Sequence, residues 1–281
     1  MQSCYNTSLT TASESKVMAE PRISSIDGKL AEEFAVPSHV EEVKEKMATF
    51  ARHHDAAGRR VVLITSGGTK VPLESRTVRF LDNFSSGRRG ASSAEYFIDS
   101  GYAVIFLHRH RSLYPYTRMF STINMLDALK FRGGEGASSN SGEVVVNQQV
   151  LPNIAKALKR YQEVKEGKLL LPIEFSTLSE YLHLLKAAAQ ALSTIGSKAM
   201  FYLAAAILSP LVKDWAPHAF VISFKLETDA TILLDRAQRA LDTYRHQAVV
   251  ANVLDSRRGY VVVVTRDTQA ELMVTEEDVE E

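Results

Sequence analysis

The sequence predicts an α/β protein with a doubly wound, mostly parallel, Rossmann-like sheet and helices on both faces. Strand and helix patterns alternate along the chain, as they do in sheets built from right-handed β-α-β crossovers. The run Val61 to Thr65 contains four β-branched residues and suits a strand that is buried on both faces. Two glycine-bearing turns follow this run before the next helical pattern begins, which is typical of a ligand-binding strand end in such a sheet.

Composition narrows the class of protein. Of the 281 residues, 45% are hydrophobic, which is ample for the core of one large domain or two small ones. Lysine plus arginine and aspartate plus glutamate both number 33, and a formal charge of zero argues against general nucleic-acid binding. The single cysteine, Cys4, excludes an intrachain disulfide. No apolar run reaches the length of a membrane span, so we expect a cytoplasmic protein without membrane contact.

The domain organisation follows from changes in composition along the chain. Residues 1–37 are polar and lack a sustained period, which predicts a disordered N-terminal extension. Residues 38–275 form one predicted α/β domain, interrupted by a flexible, glycine-rich insertion at about 132–143. Residues 276–281 form an acidic tail.

The first half of this domain contains clear signals for where its helices and strands begin and end. Ser38 as N-cap, with Glu41 three residues later, predicts the start of a helix that ends near Gly58. After the strand at 61–65, a helix is predicted from about Ser86 to Ser100, followed by a buried strand at 103–107. The histidines at 108 and 110 lack the cysteine or carboxylate partners of a metal set, so we expect them to be exposed or to contact substrate.

The second half continues the alternation. Helical periodicity covers 151–166 and 179–195, and Thr177 with Glu180 predicts a capping box for the second helix. The apolar run 169–173 contains Pro172 and is interpreted as an edge strand or as the entry to that helix. Asp229 is the predicted cap of a helix that reaches about Arg245. The remaining predicted strands are 144–146, 200–206, 220–226, 249–252, 260–265 and 271–275.

The glycine-bearing turns indicate an anion site. Gly67 and Gly68 allow a sharp turn, and Ser85 or Ser86 would cap the following helix and leave its first N–H groups free for an anion. Four arginines add positive charge nearby: Arg76, Arg79, Arg88 and Arg89. The alternative is an ordinary strand–helix junction with a solvated basic face, since neither the dinucleotide nor the P-loop fingerprint is present.

Strand ends supply the second argument for one site. In a doubly wound sheet, ligands bind beyond the carboxyl ends of the strands, where the strand order reverses. Thr65, Ala206, Lys225 and Asn252 all lie at predicted strand ends. We therefore expect these four residues to converge.

Five stretches of the sequence carry a family resemblance. SGGTKVPLE is followed by VRFLDNFSSGRRGA, and KAMFYLAAA, LVKDWAPHAFVISFKLETD and VVAN follow downstream. From about Val61 onward the chain resembles phosphopantothenate–cysteine ligases of the eukaryotic type. The resemblance implies a reaction of coenzyme A biosynthesis in which ATP, with magnesium, activates the carboxylate of 4'-phosphopantothenate as an acyl-adenylate and releases pyrophosphate. The amine of cysteine then displaces the nucleotide.

The resemblance also implies roles for individual residues. Asn83 would hold the acyl intermediate, Arg79 would reach the neighbouring subunit's site in a homodimer, and Lys225 would complete the catalytic set. The implied nucleotide- and phosphate-binding residues are Gly67, Gly68, Ser85, Ser86, Gly87, Arg88 and Phe224. The implied substrate pocket contains Ala205 and Ala206, and no residue is implied as a metal ligand. From the residues alone, Asn83 is equally a turn residue, Arg79 a surface ion-pair partner and Phe224 a core residue.

The sequence departs from the family pattern at one place. The family continues after the triple-alanine strand with a Val-Ser-Asp-Phe-Tyr type sequence and a mobile, lysine-bearing segment, whereas here Ile207 follows Ala206 directly. The chain also ends at Glu281, short of the family's last helix. An internal deletion and a shortened C-terminus are therefore predicted. Two alternative functions follow: a catalytically impaired, splice-type variant that binds nucleotide or dimerises, and an oxidoreductase that binds NADPH or FMN on the same sheet.

Overall fold

The structure, a computed structural model, describes residues 30, 34–74, 78–132, 143–205 and 215–274. The chain divides into two compact units, residues 1–35 and residues 36–281. In the first unit, the Phe34 amide donates a hydrogen bond to the Leu30 carbonyl at 3.0 Å. Several predictions fall on residues outside these ranges, namely most of the N-terminal extension, the insertion, the junction after Ala206 and the acidic tail.

The second unit contains twelve described strands in three sheets. They are β1 (Val61–Ser66), β2 (Lys70–Pro72), β3 (Phe80–Asp82), β4 (Ala103–Arg109), β5 (Leu129–Arg132), β6 (Glu143–Val146), β7 (Leu170–Phe175), β8 (Ala199–Leu203), β9 (Phe220–Glu227), β10 (Ala248–Val253), β11 (Tyr260–Val264) and β12 (Gln269–Met273). The described α-helices are α1 (Val40–Ala56), α2 (Arg88–Asp99), α3 (Ile154–Glu166), α4 (Leu178–Ser193) and α5 (Leu233–Tyr244).

The main sheet has the order β12-β11-β10-β9-β8-β1-β4-β7. The six strands from β10 to β7 are parallel to their neighbours, and β11 and β12 extend the sheet antiparallel at one edge. From β1 the chain winds outward through β4 to β7, then returns to β8 on the other side of β1. The order therefore reverses between β1 and β8, and the crevice beyond their carboxyl ends is where this architecture places ligands.

Both faces of the sheet are covered at its centre, since all six residues of β1 are buried. On one face, Val62 and Ile64 pack with Ala91 and Ala94 of α2 and with Val164 of α3. Helices α1 and α4 pack against one another, and α1 contacts β1 and β7. This arrangement confirms the predicted fold class.

The local sequence patterns predict some of the observed caps and strands correctly and others wrongly. The capping box is present, with the Glu180 amide donating to the Thr177 hydroxyl at 3.2 Å, and β7 with Pro172 is indeed the edge strand. The Ser38 cap is wrong, since the N-cap of α1 is His39 without a side-chain hydrogen bond. Asp229 caps a short 3-10 turn at Ala230–Ile232, and α5 begins only at Leu233.

Two small hairpins were not predicted as hairpins. Strand β2 pairs antiparallel with β3, and β5 pairs antiparallel with β6. All four strands are three or four residues long and largely exposed, so they lack the buried periodic pattern that identifies a core strand. Among the described helices, none combines the length and apolar character that a bilayer-spanning helix requires.

Candidate active site

The turn after β1 is shaped by two glycines. Gly67 has φ +88°, and a Cβ built there would lie 2.7 Å from the Cβ of Arg109. A Cβ on Gly68 would lie 1.5 Å from the carbonyl oxygen of Asn83. Only residues without side chains fit this turn, because both approaches are closer than real Cβ contacts allow.

The β2–β3 hairpin brings Asn83 to the same turn. The Asn83 amide donates to the Thr69 carbonyl at 3.0 Å, immediately beyond the glycines. The side chain of Asn83 is exposed, so it is available to a ligand. The backbone of the hairpin and the backbone of the glycine turn therefore form one packed unit.

Helix α2 begins against the end of β1. Its N-cap is Gly87 with φ +79°, and the predicted caps Ser85 and Ser86 are wrong because this left-handed residue separates them from the helix. The Ser66 hydroxyl donates to the Gly87 carbonyl at 3.0 Å, and a Cβ on Gly90 would lie 2.4 Å from that hydroxyl oxygen. The first turn contains no acidic residue, so the positive end of the helix dipole faces the site without internal neutralisation.

The end of β8 is fixed by buried hydrogen bonds. The Ala205 amide donates to the Thr65 hydroxyl at 3.0 Å, and the Tyr181 hydroxyl donates to the Ala205 carbonyl at 2.9 Å. Burial raises the pKa of Tyr181, so its hydroxyl keeps its proton and remains a donor. Strand β8 ends at Leu203 rather than at 206, and Ala206 lies outside the described residues.

A group of packed side chains from α2, β8, β9 and β10 surrounds Phe224, which lies within β9. The Arg89 guanidinium lies 4.7 Å from the centre of the Phe224 ring, and Tyr202 meets the same ring edge-on at 4.8 Å. With its amide oriented to satisfy both neighbours, Asn252 donates to the Lys225 carbonyl at 3.2 Å and accepts from Arg89 at 2.9 Å. Burial lowers the pKa of Arg89. Phe224 is buried, with one face covered by the guanidinium.

A cleft of about 670 Å³ opens beside the glycine turn, at the ends of β4 and β7. Its lining includes three cations and one carboxylate: Lys70, Arg109, Arg111 and Asp82. Four serines also line it: Ser85, Ser86, Ser112 and Ser176. We call this space the cationic cleft. Arg109 donates to both carboxylate oxygens of Asp82, at 2.7 and 2.6 Å, and these hydrogen bonds hold the pKa of Asp82 below its usual value.

The other predicted residues are distributed unevenly around these features. Arg88 is exposed at the first position of α2, where its amide donates to the Ser86 hydroxyl at 3.4 Å. Lys225 pairs with Glu227 at 3.2 Å. Arg79 does not line the cleft: its side chain is 75% exposed on the hairpin and pairs with Glu74 at 3.0 Å. Arg76 lies outside the described residues.

Sequence reasoning missed part of the site. Lys70, Arg109 and Arg111 were not candidates, although the alternation of basic residues directly after β4 is a usable signal. His108 is buried against Phe106 rather than exposed, and burial lowers its pKa. His110 does line the cleft, and it is hydrogen-bonded to Glu174 at 2.8 Å. Across the described part of the chain, no three metal-ligating side chains come together.

Comparisons with known proteins identify the family. Residues 56–133 match the family model described as the DNA/pantothenate metabolism flavoprotein C-terminal domain. Phosphopantothenate–cysteine ligase of Homo sapiens is 49% identical over 280 residues, covering 88% of this chain and 89% of the human protein. Phosphopantothenate–cysteine ligase CAB2 of Saccharomyces cerevisiae is 36% identical, covering 83% of this chain and 76% of that protein.

A solved structure supports the same relationship. A Cab2 mutant in complex with phosphopantothenate-cysteine superposes with a TM-score of 0.79 at 34% identity, covering 89% of this chain and 91% of that chain. The likeness in structure thus extends over most of both chains. The chain belongs to the phosphopantothenate–cysteine ligase family.

Proposed function

We propose that this chain couples 4'-phosphopantothenate to cysteine, the two substrates that the names of its relatives give, and that ATP drives the coupling. The observation that carries the proposal is the 49% identity to the human ligase over 88% of the chain. The geometry supports it, because the switch point of the sheet combines glycine turns, a helix N-terminus and cationic side chains. These groups suit two anionic reactants.

The reaction has two steps. A carboxylate oxygen of phosphopantothenate attacks the α-phosphorus of ATP, the bond from that phosphorus to the bridging oxygen breaks, and pyrophosphate leaves with the electron pair. The amine of cysteine then attacks the acyl carbon, loses a proton, and expels AMP. Neither step requires a nucleophile from the protein.

The protein's task is therefore to hold like charges together. We assign the α-phosphate to the amides of the turn at Gly67 and Gly68 and to the start of α2 at Gly87 and Arg88. Asn83, which is held beside Gly68, would donate its amide to the acyl group. Ala205, a small residue fixed by Thr65, leaves room for the pantothenate chain. Lys225, which lies two residues before the last residue of β9, would face the nucleotide from the other side.

Magnesium would bind together with the nucleotide, as part of the substrate MgATP. The carboxylate nearest the glycine turn, Asp82, is engaged by Arg109, and the described residues form no metal-ligating cluster. Magnesium bound to a nucleotide takes most of its ligands from phosphates and water, so a protein cage is not needed. No step is assigned to the ion.

The function is tested by measuring pyrophosphate release with ATP, phosphopantothenate and cysteine. We expect release that depends on phosphopantothenate, with AMP and the amide formed in equal amounts. The same assay on a chain with the family segment restored after Ala206 tests whether its loss limits turnover. ATP binding without pyrophosphate release from this chain would instead support the impaired variant.

The β2–β3 hairpin is the proposed homodimer contact. It exposes a group of apolar side chains: Val71, Leu73, Val78, Phe80 and Leu81. Exposed apolar clusters of this kind mark association sites. The exposed pair between Arg79 and Glu74 is weak, so Arg79 is available to a neighbouring subunit.

We predict that Arg79→Ala lowers kcat/KM by about tenfold or more, because a charge-assisted contact to the substrate is lost. If Arg79 serves the partner's site, co-expression with Asn83→Ala restores activity, since one site of each mixed dimer keeps both residues. Random pairing gives about a quarter of the wild-type activity. If Arg79 served its own subunit, both sites of every mixed dimer would be damaged and no recovery would follow.

The oxidoreductase alternative is not favoured. The named relatives are ligases, and the turn after β1 lacks the dinucleotide spacing. The absorbance spectrum of a bound flavin in the purified protein would instead support the oxidoreductase.

A further inference from the structure

We propose that the cationic cleft holds the terminal phosphates of the nucleotide and then the pyrophosphate that leaves. This inference rests on the proposed function, because it assigns a subsite of the same reaction. The family resemblance implies a phosphate-binding role for Ser85 and Ser86 of this lining. The inference concerns its cations, Lys70 in β2, Arg109 at the end of β4 and Arg111 after it, for which the resemblance implies no role.

The charges of the cleft favour a polyanion. Arg109 is neutralised by Asp82, whereas Lys70 and Arg111 form no ion pair within the described part of the chain. Lys70 instead lies 4.5 Å from the centre of the Phe80 ring. His110 shares a hydrogen bond with Glu174, and no other charged side chain lines the cleft. The side chains of Lys70 and Arg111 therefore carry positive charges that no ion pair in the cleft lining neutralises, and these charges favour an anionic ligand.

The hydroxyl groups point to the same chemistry. The Ser112 hydroxyl oxygen is buried and has no hydrogen-bond partner among the residues that the structure describes. It lies beside Gly87, where a Cβ would be 3.3 Å from it. Ser85, Ser86 and Ser176 line the same space. Phosphate oxygens accept hydrogen bonds from hydroxyls and cations alike, so a phosphate ligand suits the polar groups that line this space.

The backbone of Arg111 adds a further sign of a positioned residue. Its φ is +62°, in the left-handed region that residues other than glycine rarely adopt. The Ser112 amide donates to the Arg109 carbonyl at 3.0 Å and closes this turn. The turn presents the two arginines from one short loop at the end of β4.

The order of the strands decides which phosphates occupy the cleft. Phe224 lies within β9 and Asn252 is the last residue but one of β10, on one side of the switch point, and the cleft lies beyond β4 on the other side. Strands β9 and β4 are three neighbours apart, a separation of about 14 Å. A nucleotide with its base near β9 and its α-phosphate at the glycine turn extends its remaining phosphates toward β4. Pyrophosphate would thus leave on the side away from the base.

The test measures binding of inorganic pyrophosphate to the full chain by isothermal titration, with magnesium and without nucleotide. We expect Arg111→Asn to weaken binding about tenfold, and Lys70→Met to weaken it similarly, since each removes one unpaired cation. Asparagine tolerates the left-handed backbone of Arg111. The matched control is Arg245→Asn, because Arg245 is also exposed and left-handed, with φ 54°, but lies at the opposite end of the sheet.

A second arm distinguishes the nucleotide from the phosphate of phosphopantothenate. Pyrophosphate should still bind when phosphopantothenate is saturating, and Arg111→Asn should raise the inhibition constant of pyrophosphate while leaving the KM for phosphopantothenate unchanged. Displacement of pyrophosphate by phosphopantothenate, or a rise only in that KM, would overturn the proposal. Equal pyrophosphate binding by Arg111→Asn, Lys70→Met and wild type would also overturn it. If the chain shows no turnover but Arg111→Asn still weakens pyrophosphate binding, the subsite is supported although the proposed function fails.

Discussion

Replacing Gly68 with alanine is expected to reduce ligase activity at least about 100-fold. The added Cβ would lie 1.5 Å from the Asn83 carbonyl oxygen and 2.7 Å from its carbonyl carbon, so the turn and the hairpin cannot keep their present positions. These neighbours are backbone atoms, which do not rotate out of the way. A displacement of about 1 Å at a reacting site costs about two orders of magnitude in rate. The measurement is kcat/KM from amide formation, together with the thermal unfolding midpoint.

Gly259→Ala is the control for this change. Gly259 has no neighbour within 4 Å of a built Cβ, and its φ is not in the left-handed region. It should therefore retain wild-type activity, since alanine replaces glycine there without contact. Wild-type turnover by Gly68→Ala would show that the hairpin is free to move away from the turn, and the packed unit described above would be wrong.

Asn83→Ala is expected to slow amide formation by about 100- to 1,000-fold while leaving the Kd for ATP within about twofold. Loss of one donor to a developing oxyanion typically has this effect on rate. The backbone hydrogen bond from Asn83 to Thr69 does not involve the side chain, so the hairpin should stay in place. Single-turnover amide formation and ATP titration measure the two quantities separately.

The isosteric variant Asn83→Asp sharpens the comparison. It keeps the size of the side chain but places a carboxylate where an anionic intermediate binds, so amide formation should be slowed at least as much as in Asn83→Ala. Equal losses of ATP binding and amide formation in both variants would contradict a role toward the acyl group. Both proteins should unfold at the wild-type temperature.

The elements of the fold that the sequence predicts correctly are those with a clear local pattern of their own. Strands β1 and β4 are continuous buried runs, and α4 begins with a capping box, so each carries its own signal. The convergence of strand ends was also predictable, because parallel strands end on one side of a sheet. Of the four residues predicted to converge, Asn252 is hydrogen-bonded to the Lys225 carbonyl, and Ala206 lies outside the described residues. Thr65 is hydrogen-bonded to Ala205, the residue before Ala206, although 140 positions separate the two.

The remainder depends on contacts that no local pattern encodes. Strand β2 is three residues long and ends in Pro72, and it is held by pairing with β3 and by the glycine turn. The cationic cleft collects residues from loops after two strands and from this hairpin, so it exists only once the strand order is set. The sequence shows the charge of Arg89, but the position of its guanidinium over Phe224 follows from the packing of α2 on the sheet, where the helix contacts β1 and β4.

The β2–β3 hairpin also has a consequence for control of the enzyme. At its base its backbone is packed into the turn at Gly68, and toward its tip it exposes Val78, which is 83% accessible. In the homodimer proposed above, the partner subunit covers this surface. A molecule that binds the hairpin would therefore compete with the partner subunit, and it would lower turnover without entering the cationic cleft.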